Sequence, residues 1–153
     1  MVERWVGLVA SGDKVIMIDA EVPDHGRISI QADQTFKLQS GSREAAYRSL
    51  FHQISDYLRE NRVSRAIVKA SAVAKGGGLS HLQSAELRGV VMAAAADACD
   101  TESLAKAQVS KKFGTKKADE YIADVEFWDE NIKGELRSGS REAALLIIAT
   151  RDS

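Results

Sequence analysis

The sequence is poor in several things that would have narrowed its function at once. A single cysteine, Cys99, among 153 residues excludes a disulfide framework and a thiolate zinc site, and it suits a reducing compartment, taken here as the cytoplasm. There is no surplus of charge: 21 basic against 22 acidic side chains leave a net charge of −1. A uniformly basic nucleic-acid coat is therefore excluded, although a local basic patch is not. There is no long apolar run, so no membrane span is expected, and the opening MVERWVGLVASGDK lacks the apolar core of a secretory signal. The three histidines, His25, His52 and His81, are far apart and have no metal-ligand spacing. The glycine run Gly76-Gly77-Gly78 lacks the Gly-Lys-Ser/Thr ending of a phosphate loop. A connector is expected there, or a backbone held close to a phosphate or partner.

What remains is the composition of an ordinary globular domain, 44% hydrophobic and 28% charged, and one domain over residues 1–153 is expected. Residues 4–10 (RWVGLVA) are apolar on both parities, as in a strand covered on both faces. Gly12-Asp13 signals a tight turn, and 14–22 (KVIMIDAEV) returns as a second strand. After the turn at Pro23-Asp24-His25-Gly26, the even-numbered Ile28, Ile30, Ala32, Phe36 and Leu38 predict a third strand with one wet face, at a sheet edge. Together these make an antiparallel meander.

Helical periodicity follows. Ser42 is placed to cap a helix with Glu44 in its first turn, and Tyr47, Leu50, Phe51, Ile54 and Leu58 form its apolar stripe up to Asn61. Residues 65–73 (RAIVKASAV) predict a fourth strand, so that strand, helix and strand make a crossover unit with parallel pairing. Ser80 to about Ala98 predicts a second helix with the stripe Leu87, Val90, Val91, Ala94 and Ala98. Gly89, Ala93 and Ala96 would allow a close approach, by the sheet or by a second copy. A fifth strand is expected over 104–109. A third helix is expected from Thr115, with Ala118, Tyr121, Ile122, Val125, Trp128 and Ile132 on one side. A last helix is expected over 140–150. Its start repeats that of the first helix: SGSREAA occurs at 40–46 and at 138–144. Two copies of seven residues reuse a good helix start and do not make a repeat architecture. The expectation is an α/β domain with a mixed five-stranded sheet, an antiparallel three-strand meander and flanking helices, the element order of the ribonuclease H-like fold.

Particular residues sharpen that likeness. Ala74-Lys75-Gly76-Gly77-Gly78, then Leu87-Arg88-Gly89-Val90-Val91 and the alanines 93–96, resemble the segment after the fourth strand of RuvC-type Holliday-junction resolvases. The basic stretch from Val109 to Ala118 (VSKKFGTKKA) resembles that family's basic loop, and 140–150 (SREAALLIIAT) resembles its final helix. The resemblance implies a two-metal phosphodiester-cleaving centre in which carboxylates hold two magnesium ions about 4 Å apart.

The implied acid set does not carry over. The first-strand acid falls at Val9 or Ala10, the fourth-strand acid at Lys69, and in the last helix Ser140 and Arg141 occupy acidic positions and leave Glu142. A rebuilt set could draw on Asp19, which interrupts an apolar strand, together with Glu142. Asp13, Glu21, Asp97 and Asp119 are expected to be solvated or turn residues. No metal is expected, and magnesium enters only if such a relocated set supports a structure-specific endonuclease. The basic candidates for a nucleic-acid contact, DNA or RNA, are Lys69, Lys75, Arg88, Lys106, Lys111, Lys112, Lys116 and Lys117. Phe113 among them could stack on a base. A catalytically degenerate domain that binds nucleic acid, or that assembles with a protein partner or as a homodimer, is the expected function.

Overall fold

A computed structural model describes residues 2–72, 76–114 and 116–152. Its first three strands, β1 (Glu3–Ser11), β2 (Lys14–Val22) and β3 (Ile28–Lys37), form the expected meander. Helix α1 (Arg43–Glu60) carries the chain across to β4 (Arg65–Lys69), parallel to β1. Helix α2 (Leu79–Ala98) then leads to β5 (Asp100–Leu104), parallel to β4. Ser42 caps α1 as expected, its hydroxyl accepting from the Ala45 N–H at 3.1 Å, and Asn61 closes the helix.

Among the described residues the sheet has six strands, in the order β5-β4-β1-β2-β3-β6, one more than expected. The addition is β6 (Ile132–Lys133), two residues that pair in parallel with Ile28 and Ser29. So short a strand carries no periodicity of its own. Past β5 the sequence reading and the structure part company. The expected strand over 104–109 is for the most part helix α3 (Lys106–Phe113), and the real fifth strand lies earlier, in the polar Asp100-Thr101-Glu102-Ser103-Leu104. The expected single helix over 115–132 is two, α4 (Ala118–Ala123) and α5 (Val125–Asn131). They divide at Asp124, whose carboxylate accepts from the N–H groups of Glu126 and Phe127 and so starts a new helix inside a continuous apolar stripe. Val125, expected within that stripe, is exposed. Thr115, the expected cap, lies outside the described residues.

Two cores lie on either side of the sheet. On one, Val6, Leu8, Met17 and Val68 pack under α1 and α2. On the other, Trp5, Val9, Ile18 and Ile67 pack under α6 (Arg141–Arg151). Every residue of α6 from Ala143 to Thr150 is buried. The helix presses so closely on β1 that a Cβ on Gly7 would lie 2.0 Å from the carbonyl oxygen of Ala143. In α2 the sheet-facing residues are Leu87, Val91, Ala94 and Ala95. Gly89, Ala93 and Ala96 face outward, so the close approach they allow is not used against the sheet.

Strand β3 does not keep one parity. Asp19 pairs with Ala32 and Ala20 with Ile30, which leaves Gln31 as an extra residue in a β-bulge. One inserted residue reverses the alternation beyond it. Ile28 and Ile30 therefore pack on the α6 side, while Phe36 and Leu38 pack on the α1 side. The same reversal turns Asp33, Thr35 and Lys37 toward the α6 side, in register with Ile18, Ile16 and Lys14.

Candidate functional site

The parallel strands β1, β4 and β5 end at one edge of the sheet, where α3 and α6 begin, and open α/β sheets bind ligands at that edge. Lys69 is the last residue of β4, and Glu142 lies in the first turn of α6. Their side chains meet there, Nζ donating to Oε1 at 3.0 Å, with 24% and 28% of the two side chains exposed. Because Leu8 pairs with Val68, Val9 lies beside Lys69 on the neighbouring strand, and it is buried. Lys106, at the start of α3, bonds Asp119 at 2.6 Å. The hydrogen bond that Lys106 donates to Asp119 raises the Lys106 pKa, and the Glu142 charge adds to the rise. Behind these four charges lies a narrow cleft walled by Val109, Ala118, Ile122, Leu145 and Leu146. The edge thus holds alternating cations and anions over an apolar floor.

Asp19 and Glu142 do not meet. Asp19 belongs to the parity of Val15 and Met17, on the α1 side of the sheet, whereas Glu142 is on the α6 side. Asp19 is fully buried, with Arg4 donating to both of its oxygens at 2.7 and 2.8 Å and the Tyr57 hydroxyl donating at 2.6 Å. Burial and the hydrogen bond to Asp19 push the Tyr57 hydroxyl far above the usual phenol range, so it remains a donor. This is a closed structural triad, and removing Arg4 would leave an uncompensated buried carboxylate at a cost of roughly 3–5 kcal/mol. The other acids are dispersed. Asp13 and Glu21 are exposed, Asp97 pairs with Arg59 at 2.7 Å, and Asp119 is held by Lys106. Among the described residues no three His, Cys, Asp or Glu side chains are grouped so as to hold a metal ion.

The basic candidates separate into two sets. Lys69, Lys106 and Lys116 are each paired with an acid, the last with Asp124 at 3.7 Å. Lys111, Lys112 and Lys117 form no ion pair among the described residues, and Lys111 and Lys117 are exposed. Arg88 is half-buried and donates to the Ser71 hydroxyl at 3.2 Å. Lys75 lies outside the described residues. Phe113 does not offer a free ring. It packs against the α6-side core and lies 4.6 Å from Tyr121 and 6.0 Å from Phe127, centroid to centroid, so the stacking expected of it is satisfied inside the protein. Cys99 is half-buried, and burial pushes its thiol up, away from the nucleophilic thiolate. No described helix is long and apolar enough to cross a membrane.

One group escaped sequence reasoning. Asp33 accepts from the Arg137 backbone N–H at 3.0 Å, from Arg137 Nη2 at 2.7 Å and from the Ser140 hydroxyl at 2.6 Å, and so ties β3 to the start of α6. Burial alone would raise its pKa; the Arg137 and Ser140 hydrogen bonds outweigh burial and hold the carboxyl below the usual range. Only the bulge at Gln31 puts Asp33 on that face, and a bulge leaves no local mark in the sequence.

Neither a protein-family model nor a curated protein sequence matches the chain. Solved structures do. Thermus thermophilus RuvC in complex with a Holliday-junction substrate superposes with a TM-score of 0.72 at 11% identity, over 99% of this chain and 94% of that one. Another structure of Thermus thermophilus RuvC gives 0.72 at 15% identity, over 97% and 94%. The yeast mitochondrial Holliday-junction resolvase Ydc2 gives 0.62 at 12% identity, over 98% and 79%. The fold expected from the element order and the resolvase-like segments is therefore the fold observed: along its whole length this chain has the RuvC fold, of the ribonuclease H-like class.

Proposed function

We propose that this chain is a RuvC-fold domain that does not cut phosphodiesters and instead holds nucleic acid by its sugar–phosphate backbone. One observation carries the first half. At the carboxyl end of β4 an ammonium, Lys69 Nζ, is bonded at 3.0 Å to Glu142, beside the buried hydrocarbon of Val9, and the neighbouring acid Asp119 is held by Lys106. Magnesium takes hard oxygen ligands, one or two carboxylates with several waters, and a pair of ions needs carboxylates free to serve both. A hydrocarbon, a cation and one acid already bound to that cation do not fit a divalent pair.

The second half rests on Lys111, Lys112 and Lys117, which have no acid partner among the described residues and can contact phosphates without reading sequence. A solved neighbour of the same fold is a complex with a Holliday junction, which makes four-way junctions the natural first probe. At low salt the purified chain should retard a four-way junction and a single-stranded oligonucleotide, and Lys111, Lys112 and Lys117 changed together to Glu should abolish the shift. With magnesium or manganese neither probe should be cut. Cutting that disappears in Glu142→Gln would sink this reading in favour of a relocated acid set.

A second reading, assembly with another copy, draws on α2. Leu82, Gly89, Met92, Ala93 and Ala96 all reach solvent from that helix, and small residues among exposed apolar ones permit close helix packing. A monomer mass at high concentration in a sedimentation experiment would remove it.

A further inference from the structure

We infer that Lys14 and Lys37, with Arg137 beside them, form a second phosphate-binding ledge, so that a nucleic-acid strand lies across the carboxyl edge between this ledge and the lysines of α3. The inference rests on the backbone-binding reading above and extends it to residues on the far side of the edge. Lys14 opens β2 and Lys37 ends β3, and the two are direct cross-strand partners. Because the Leu38 N–H donates to the Asp13 carbonyl at 2.7 Å, the Lys14–Lys37 pair next to it is a non-hydrogen-bonded one, the closer kind, with Cα atoms about 4.5 Å apart. Both side chains lie on the α6 side of the sheet and both are exposed. Neither forms an ion pair among the described residues. Like charges facing each other in this way destabilise a sheet. A bound anion would relieve the repulsion.

The surroundings suit a phosphate. Arg137 is anchored by Asp33 and by the Thr35 hydroxyl at 3.0 Å, and 56% of its side chain is exposed. Thr35 and Lys37 alternate along β3 toward the same edge, and Ser11 lies opposite Lys14 on β1. Asp33, the acid nearest in register on this face, is already committed to Arg137 and Ser140. Asp13, in the turn beside Lys14, belongs to the opposite parity. From β4, where Lys69 ends the strand, to β3 is three strand spacings, about 14 Å. That is the length of roughly four phosphates along one strand of a duplex.

The test is a salt titration of binding, with a labelled single-stranded oligonucleotide and a duplex as probes. Lys14→Gln with Lys37→Gln should weaken binding at low salt by at least about tenfold. It should also flatten the slope of log K against log salt by about 1.4 on the single strand and about 1.8 on the duplex. Lys133→Gln, on an exposed lysine at the opposite end of β3, should leave both unchanged. A second variant separates binding from folding: Lys37→Glu puts an acid opposite Lys14, so it should raise the thermal midpoint while weakening binding. If the α3 lysine variant loses binding but the Lys14/Lys37 variant keeps wild-type affinity and slope, the ledge is wrong and the backbone-binding reading stands. A Lys133→Gln effect as large as the ledge effect would mean diffuse attraction, and would also overturn the ledge. If the wild type binds neither probe at low salt, both readings fall together.

Discussion

The heptad SGSREAA occurs twice and does two different jobs. In the first copy Ser42 caps its own helix, Glu44 is exposed, and Arg43 bonds Tyr47 across one turn and pairs with Glu86 of α2. In the second, Ser140 lies in a short 3-10 turn (Ser138–Ser140) and donates its hydroxyl to Asp33 on β3. There Glu142 binds Lys69 on β4, and Arg141 donates to the Ile122 carbonyl at 3.1 Å. The first copy opens an amphipathic helix that covers the sheet from one side, and its polar groups are largely satisfied within the helix or on α2. The second opens a helix buried from Ala143 to Thr150, and its polar start finds partners on β3, β4 and α4. Identical local chemistry becomes capping in one place and long-range cross-linking in the other, and burial of the following helix decides which.

The sharpest way to break the asymmetry is Gly7→Ala. Its Cβ would overlap the Ala143 carbonyl, so α6 must shift away from β1 while α1, on the opposite face, is untouched. We expect a loss of about 3 kcal/mol or more, at the upper end for overpacking, read as a drop in the denaturant midpoint. Next come the two serines. Ser42→Ala should cost about 1 kcal/mol, an ordinary cap loss. Ser140→Ala should cost about as much or more, because Asp33 is mostly buried and loses a donor.

The serines differ more plainly in pH dependence. Asp33 titrates lower in the folded than in the unfolded chain, so its contribution is present above the unfolded carboxyl value, about 3.9. It is lost as pH falls through the folded value. Ser140→Ala should shrink that acid-side loss, whereas Ser42→Ala should not, as urea titrations between pH 2 and 5 would reveal. The smallest contrast is between the glutamates. Glu142→Gln breaks a partly buried pair and should cost about 1 kcal/mol, with Glu44→Gln costing only the few tenths of a weakened helix-dipole contact.

Much of the first half of the fold was legible because its signals are local. The Gly12-Asp13 turn, the apolar parity of β1 and β2, and the Ser42 cap all act within a few residues. The second half was less so. Leu104, Ala105, Ala107 and Val109 are too few to tell a strand from a helix, and the Asp124 cap is hidden inside a stripe that would suit one long helix. At the candidate site, Lys69 and Glu142 were singled out by resemblance, since 73 residues separate them and nothing in their spacing announces a pair. Asp19 stood out as an acid in an apolar strand, but whether it faced Glu142 or Tyr57 depended on which side of the sheet each helix covers. Asp33 and the Lys14–Lys37 pair depend on the bulge at Gln31, a property of two paired strands and not of either alone.

That bulge fixes where the edge strand tolerates a change in length. Side chains alternate with period two, so one residue lost elsewhere in β3 reverses a face. Deleting Gln31 would only close the bulge, because Ile30 and Ala32 already face opposite sides and would keep Ala20 and Asp19 as partners. Deleting Gln34 would either turn Asp33 away from Arg137 and Ser140, or bring Phe36 out from beneath α1 and carry Lys37 to the other side from Lys14. For this strand, the place of a missing residue matters more than its identity.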